Sequence, residues 1–365
     1  MKIRATSETS SDCVRPLARL CRCAMRVQVV WLAVMMISCN DRPSPERVIL
    51  YVSADEHVAR QVIERFEVAT GIEVQVVGDT ELKKTTGLVE RIRREAERPR
   101  ADVFWNSEAF MTEALAAEGL LTPHTSEVAK AWPTVHRHPG HLWHGFAGRA
   151  RALVYNPSHL MAEDIPEQWA DLVSEKYKGQ IVMADPRFGT TGGHLAVIQW
   201  LFDETLPGSY DQFVDGLAAN DVRLLPSGNA GVVDAVERGE AVLGLTDTDD
   251  IWAVLDRGGK VDWVLPGHSM GEDATPHGPL VIPNTVALVR GGPHPKQAAL
   301  LADFLLSAEV ESLLAQSSSR NIPLGSDAVI NADIIVHNPV DVDYAVVAAG
   351  RSAAVQSAVK RLGGR

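Results

Sequence analysis

Residues 48–77 read VILYVSADEHVARQVIERFEVATGIEVQVV, and their pattern decides the fold. VILYVS, Val48 to Ser53, is a short β-branched run of the length of a buried strand. In HVARQVIERFEVATG, apolar residues recur at Val58, Val62, Phe66 and Val68–Ala69, which is the spacing of one helix face, and Gly71 closes the pattern. IEVQVV, Ile72 to Val77, is the next strand. The alternation then continues. TTGLVERIRREAER (Thr85–Arg98) is a second amphipathic helix, ADVFW (Ala101–Trp105) a third strand, and SEAFMTEALAAEGLL (Ser107–Leu121) a third helix. This order predicts an α/β fold, a mostly parallel sheet with helices on its faces.

The pattern changes at HRHPGHLWHGFAGRARALVYNP, His136 to Pro157, which reads as long extended segments. A second α/β series comes next. DLVSEKYKG predicts a helix leading into the strand QIVMADP, and TTGGHLAVIQWLFDE a helix. YDQFVDGLAAND, VRLLP, NAGVVDAVERGE, AVLGLTDTD, IWAVLDRGG and VDWVLP alternate helix and strand. GPLVIPNTVALVRG (Gly278–Gly291) is another long extended segment, and PKQAALLADFLLSAEVESLLAQ (Pro295–Gln316) is strongly amphipathic and helical. Two α/β series separated by long extended segments imply two lobes joined by crossing strands, the first near Tyr155 and the second near Pro283. Residues 48–154 and 284–330 are assigned to lobe 1 and 155–283 to lobe 2. Residues 331–365 form a C-terminal extension with a helix. His136, His138, His141 and His144 do not fix one helical or strand face around Pro139 and Gly140, so they read as a surface turn and not as a metal site.

All four cysteines, Cys13, Cys21, Cys23 and Cys39, lie in the first 39 residues of the 365, so the folded body has neither a disulfide nor a cysteine metal site. Basic residues from Lys2 to Arg26 precede the apolar run VQVVWLAVMMIS, which is too short to span a bilayer but suits a signal-peptide core. The run ends in MISC, which resembles a bacterial lipobox. Residues 1–38 therefore read as a lipoprotein signal peptide, with Cys39 the acylated residue and 39–47 a lipid-anchored tether. Without the first 38 residues, 29 basic side chains face 45 acidic ones, a net charge of −16. An exported chain this acidic is a poor partner for nucleic acid or anionic lipid; its only membrane attachment would be the anchor, and it is expected to be a monomer.

The chemistry gathers at strand ends. GLTDTDDIW (Gly244–Trp252) places Asp247, Asp249 and Asp250 after an apolar strand. These carboxylates suit a hard cation, an ammonium group, or the cap of the helix that succeeds them, and a cap needs only one of them. In PRFGTTGGH (Pro186–His194), the N–H groups of Gly189 to Gly193, with Gly192 and Gly193 at their end, and the hydroxyls of Thr190 and Thr191 precede a helix, which is the chemistry of an anion site. SGNAG, with Asn229, is a second contact of the same kind, and LKKTTGLVE offers Thr85 and Thr86 beside Lys83 and Lys84. No Gly-x-Ser-x-Gly elbow, Walker loop or His-Glu-x-x-His motif is present, so the chain does not read as an enzyme. The remote enzymatic alternative is a metal-dependent phosphoesterase using the aspartates. No cofactor is called for; a metal ion or an anion would enter as ligand.

In order, YVSADE, TGIEVQVV, RPRADVFWNSEAF, AEGLL, GRARALVYNP, KYKGQIVMADPRFGTTGGH, VERGEAVLGLTDTDD, PNTVALVRGGPHPKQAALLADFLLSAEVESLLA and NIPL resemble the ferric-iron-binding family of periplasmic solute-binding proteins over Val48 to Leu324. The resemblance implies a two-lobe receptor of an ATP-binding-cassette (ABC) importer. It has a hinge of two crossing strands and a ligand cleft between the lobes, and its closed form docks on a membrane permease. It also implies the site. Where iron-binding members carry an adjacent tyrosine pair, this chain has Asp249 and Asp250. The position of the first-strand histidine holds Asp55. The glutamate after the third strand corresponds to Glu108, with Ser107 and Asn106 as the offset alternatives. The Thr190–Gly193 turn is where the family contacts a synergistic anion. The missing tyrosines argue against phenolate-bound iron. The expected ligand is ferric iron or another metal with a synergistic anion, the metal held by Asp55, Asp249 and Asp250, or, alternatively, a small organophosphorus compound such as 2-aminoethylphosphonate, whose amine and anion suit aspartates and anion turn together. In either case Asp247 is a wall or capping residue.

Overall fold

The structure, a computed structural model, describes residues 46–78, 84–270, 277–325 and 336–363. The leader with Cys39 and the start of the tether lie outside the described residues, as does Lys83. Chain order keeps closely to the sequence pattern. Strand β1 (Arg47–Val52) leads to helix α1 (Glu56–Thr70), β2 (Glu73–Val77), α2 (Lys84–Arg94), β3 (Val103–Asn106) and α3 (Ala109–Ala117). The α1 helix buries Val58, Ala59, Val62, Ile63 and Phe66, the stripe its spacing predicts. It ends at Gly71, whose left-handed φ of 72° lets its N–H reach the Glu67 carbonyl. β1 lies between β2 and β3, parallel to both.

Two long strands organise the remainder of the sheet. After β4 (Leu121–Thr122), β5 (His144–Tyr155) is buried along its whole length, and β10 (Val281–Val289) likewise. β5 pairs antiparallel with β10 from His144 to Ala150, then with β8 (Leu243–Asp247) from Arg151 to Tyr155. β10 in turn pairs with β3 over Val103–Asn106. One sheet therefore runs β2-β1-β3-β10-β5-β8-β6-β7, with β6 (Ile181–Ala184) and β7 (Arg223–Leu225) at its far end and β4 and β9 (Asp262–Val264) as side pairings. β5 changes partner at Arg151, upstream of the crossing expected near Tyr155, because one unbroken strand serves both halves. β10 carries its irregularity between Ile282 and Asn284, at Pro283, which has no N–H to give to the ladder.

The second half of the sheet carries α4 (Gly189–Thr205), α5 (Ser209–Ala219), α6 (Gly228–Glu237) and α7 (Thr248–Asp256). The helix expected in DLVSEKYKG is instead two short 3₁₀ turns, Trp169–Val173 and Glu175–Tyr177. Ser174 between them is extended, with ψ 133°, and the Asp171 carboxylate is spent on the N–H groups of Glu167 and Gln168. The Pro295–Gln316 pattern divides into α8 (Pro295–Leu305) and α9 (Ala308–Gln316), because the Ser307 hydroxyl accepts the Val310 N–H and caps a new helix. The last helix, α10 (Tyr344–Leu362), buries Tyr344, Val347, Ala354 and Ala358 in an apolar core that also holds Phe110 and Trp143 from the first half and Leu195 and Tyr210 from the second. No described helix is long and apolar enough to cross a membrane.

Ser307→Ala removes the cap at the α8–α9 break. It is expected to lower stability by about 1 kcal/mol, read as a shift of the urea unfolding midpoint at unchanged slope; an unchanged midpoint would mean that the break is held by packing alone.

Candidate functional site

Strand β8 ends at Asp247 and α7 starts at Thr248, so Asp249 and Asp250 sit in the first turn of a helix, at the positive end of its dipole. Asp247 occupies the capping position but makes no capping bond. Its side chain turns inward to Arg151, directly opposite in the β5–β8 register. Arg151 is fully buried, and its Nη1 donates to Asp247 Oδ1 at 2.8 Å. Asp247 Oδ2 accepts from Thr190 Oγ1 at 2.5 Å and Asn229 Nδ2 at 2.8 Å. The guanidinium also reaches Thr190 at 3.3 Å and Thr191 at 3.5 Å, and Thr191 donates to Asn229.

The same guanidinium orients a histidine pair. Arg151 Nε donates to His194 Nδ1 at 3.3 Å, His194 Nε2 meets His268 Nε2 at 3.1 Å, and His268 Nδ1 lies 2.9 Å from the Gly278 carbonyl. A carbonyl only accepts, so His268 carries its proton on Nδ1 and accepts at Nε2 from His194, whose Nδ1 accepts from arginine. Both rings are neutral. Burial pushes His268 down to about 4 and, with Arg151 and His268 beside it, holds His194 well below the ordinary histidine range.

Asp249 and Asp250 face a second buried guanidinium. Arg149 Nε lies 3.4 Å from Asp249 Oδ2, and Arg149 Nη2 donates to Asn284 Oδ1 at 3.1 Å. Nε itself makes no hydrogen bond. Burial opposes the charge of Arg149, but Asp249, Asp247, Asp250 and Asp55 outweigh it and keep the group strongly basic. The aspartates bear the reverse strain. Burial, offset by Arg149 and reinforced by Asp247 and Asp55, pushes Asp249 up to about 6. Burial, then the charges of Asp249 and Asp247, holds Asp250 well above the carboxylate range. Asp247, Asp249 and Asp250 can each place an oxygen within 4.8 Å of the others. Asp55 is exposed, between β1 and α1, and its charge acts on Arg149, Asp249 and Asp250.

The other expected contacts lie inside the protein. Asn106 is buried, accepting from Ser53 Oγ at 2.8 Å and donating to Thr112 and to the Glu108 carbonyl. Glu108 is buried and caps α3 by accepting the Met111 N–H at 2.7 Å. In place of an open anion cradle, Thr190 and Thr191 belong to the Arg151–Asp247 network. Gly192 and Gly193 lie under Arg351, Phe110 and Glu108, where added Cβ atoms would collide. Asn229, half-buried, joins the same network. Sequence reasoning missed Arg149 and Arg151. The available sign was two arginines at i and i+2 in the apolar run of GRARALVY, on one face of a buried strand, where charge persists only with partners.

Residues 99–342 match the family model described as bacterial extracellular solute-binding protein. This chain belongs to that family. It is a solute-binding protein of an ABC importer. It is 30% identical over 267 residues to the putative 2-aminoethylphosphonate-binding periplasmic protein of Salmonella typhimurium, covering 72% of each chain. It is 24% identical over 283 residues to iron uptake protein A1 of Synechocystis, covering 76% of each. The structure of iron-bound HitA from Pseudomonas aeruginosa superposes with a TM-score of 0.73 at 21% identity, over 86% of this chain and 99% of that one. The two-lobe periplasmic-binding-protein fold is thereby established, with β5 and β10 as its crossing strands, and these relatives are binding proteins, not enzymes.

The strained carboxylates give a pH signature. A carboxyl whose folded pKa is raised contributes stability below its unfolded value and loses that contribution as pH rises through the folded value. Asp250→Asn is therefore expected to raise the melting temperature of the ligand-free solute-binding protein, more at about pH 8 than at about pH 4. A gain that does not change with pH would mean that Asp250 is not the strained group.

Proposed function

We propose that this solute-binding protein captures a small zwitterion in which an ammonium is joined to a phosphonate or phosphate, of the 2-aminoethylphosphonate type. The observation that carries this reading is the meeting of the carboxylates Asp249 and Asp250, faced by Asp55, with the Arg149 guanidinium, whose Nε–H makes no hydrogen bond and only a 3.4 Å ion-pair contact with Asp249. An ammonium satisfies the carboxylates and lets Asp250 ionise, while an anionic oxygen draws the Arg149 guanidinium from its long contact with Asp249. The Salmonella relative is in keeping with this ligand. Asn229, Thr190, Thr191 and Asp247 hold the wall behind the site, and Gly192, Gly193, Asn106 and Glu108 support it without touching ligand.

A second reading, a metal ion with a bridging anion, is favoured by the three aspartate oxygens within 4.8 Å and by the iron-uptake relative. Against it, Asp247 and Asp249 already face guanidinium groups, whose charge opposes a multivalent cation. The lobes are taken as residues 48–154 with 284–330 and 155–283, and the ligand as held between them. The chain is further proposed to be exported, anchored through acylated Cys39 on the periplasmic side of the cell membrane, monomeric, and partnered with ABC permease subunits.

Thermal denaturation with 2-aminoethylphosphonate, inorganic phosphate, manganese and ferric citrate separates the readings. Stabilisation by the aminophosphonate that grows with its concentration is expected from mass action. Stabilisation by metal alone would favour the second reading, and no shift with any phosphorus compound would overturn the first. Asp249→Asn is expected to weaken aminophosphonate binding roughly tenfold to a hundredfold, the loss of about 1.5–3 kcal/mol for one hydrogen bond to a charged group, measured by titration calorimetry.

A further inference from the structure

Glu108 and Arg351 form a buried ion pair that is only partly made. Glu108 Oε1 and Arg351 Nε are 3.6 Å apart. Neither atom has a hydrogen-bond partner, although the Glu108 side chain is fully buried and that of Arg351 is 14% exposed. The other Glu108 oxygen is occupied by the Met111 N–H, and among the described residues Arg351 Nη2 reaches only the Gly189 carbonyl, at 3.5 Å. An unsatisfied charged atom in the interior is costly, and each of these two is the natural partner of the other. An approach of less than about 1 Å would turn the contact into a charge-assisted hydrogen bond.

The two residues belong to different parts of the fold. Glu108 caps α3, in the half of the sheet built on β1–β3. Arg351 is on α10, which packs against α3 as well but is hydrogen-bonded to the other half. Tyr210 donates to the Ala354 carbonyl at 2.8 Å, Ser357 to Asp211 at 2.6 Å, and Arg361 to Asp215 at 2.7 Å. The first turns of α4, also in that half, supply the floor. A Cβ on Gly192 would lie 2.8 Å from Arg351 Nη2, and one on Gly193 would lie 2.7 Å from Glu108 Oε1 and collide with Phe110. Each glycine thus makes room for one member of the pair. At its other end α10 packs Tyr344 against Trp143 and Phe110 of the first half, at ring-centroid distances of 5.1 and 5.6 Å.

The start of α3 and the start of α4 therefore touch at Gly193, with α10 packed over both. We propose that Glu108 and Arg351, seated on Gly192–Gly193, form a closure pin: the ion pair tightens as the two halves close and stabilises the closed form of the receptor. Rocking of one half on the other changes this distance directly, while the β5–β10 pairing holds the hinge line. The glycine seat keeps the rocking surface free of side chains.

Small-angle X-ray scattering of the ligand-free protein tests this without reference to what the cleft binds. Glu108→Gln, which preserves shape, and Arg351→Gln are each expected to raise the radius of gyration, and the double variant to raise it no further than either single one. Gly193→Ala, which wedges α4 from Glu108, is expected to open the molecule at least as far. If Glu108→Gln does not fold, Arg351→Gln alone decides. Unchanged radii for the folded variants, or additive effects in the double variant, would overturn the proposal.

Discussion

The ion pair between Arg151 and Asp247 is the constraint on which the rest of the structure hangs. The two residues are opposite each other in the β5–β8 ladder, at the step where β5 leaves β10 for its second partner. Both are out of water, so their mutual attraction would not by itself offset desolvation. The remaining lone pairs and N–H groups are taken up by Thr190, Thr191, Asn229 and His194. This is the condition under which a buried pair is tolerable, and it fixes the first turn of α4, the start of α6 and the end of β8 to one another. Loss of one partner from such a pair typically costs about 3–5 kcal/mol.

With Asp247 committed inward, the next two carboxylates have no equivalent compensation. Arg149 answers Asp249 in part, and Asp250 remains in excess of the local positive charge. The free protein therefore stores electrostatic strain at the cleft, and a cationic group would relieve it. A substitution that relaxes the free protein at these positions would also remove the attraction for the ammonium proposed as ligand. The neutral His194–His268 pair behind Arg151 contributes position rather than charge, since its hydrogen bonds are ordered end to end from guanidinium to carbonyl.

Secondary structure is largely legible because each element carries its own period. Val58, Val62 and Phe66 mark a helix face wherever the chain sends it, and Gly71 stops that helix for a local reason. The segment 171–179 departs from its helical pattern because its capping carboxylate and extended Ser174 act over a few residues and overrule propensity. At the site, the three aspartates are visible as an excess of charge after an apolar strand. The division of labour among them is not, because it depends on Arg149 and Arg151, nearly a hundred residues away in sequence. Thr190 to Gly193 carry the signature of an anion turn, and its backbone form is present. Its two hydroxyls are hydrogen-bonded within the Arg151–Asp247 network, and its glycines pack against Arg351, Phe110 and Glu108.

The sequence by itself determined the alternation of strands and helices, the two long crossing segments, the acidic cluster at the end of β8 and the cysteine-free body, since these depend on local spacing and composition. Tertiary structure alone decided which carboxylate is paired inside the protein and which remain in excess of the local positive charge, where β5 changes partners, and that Glu108 faces Arg351. The physical reason is range. Periodicity and capping act over a turn or two of chain, whereas the charge state of a carboxylate is set by burial and by cations that folding brings from distant segments.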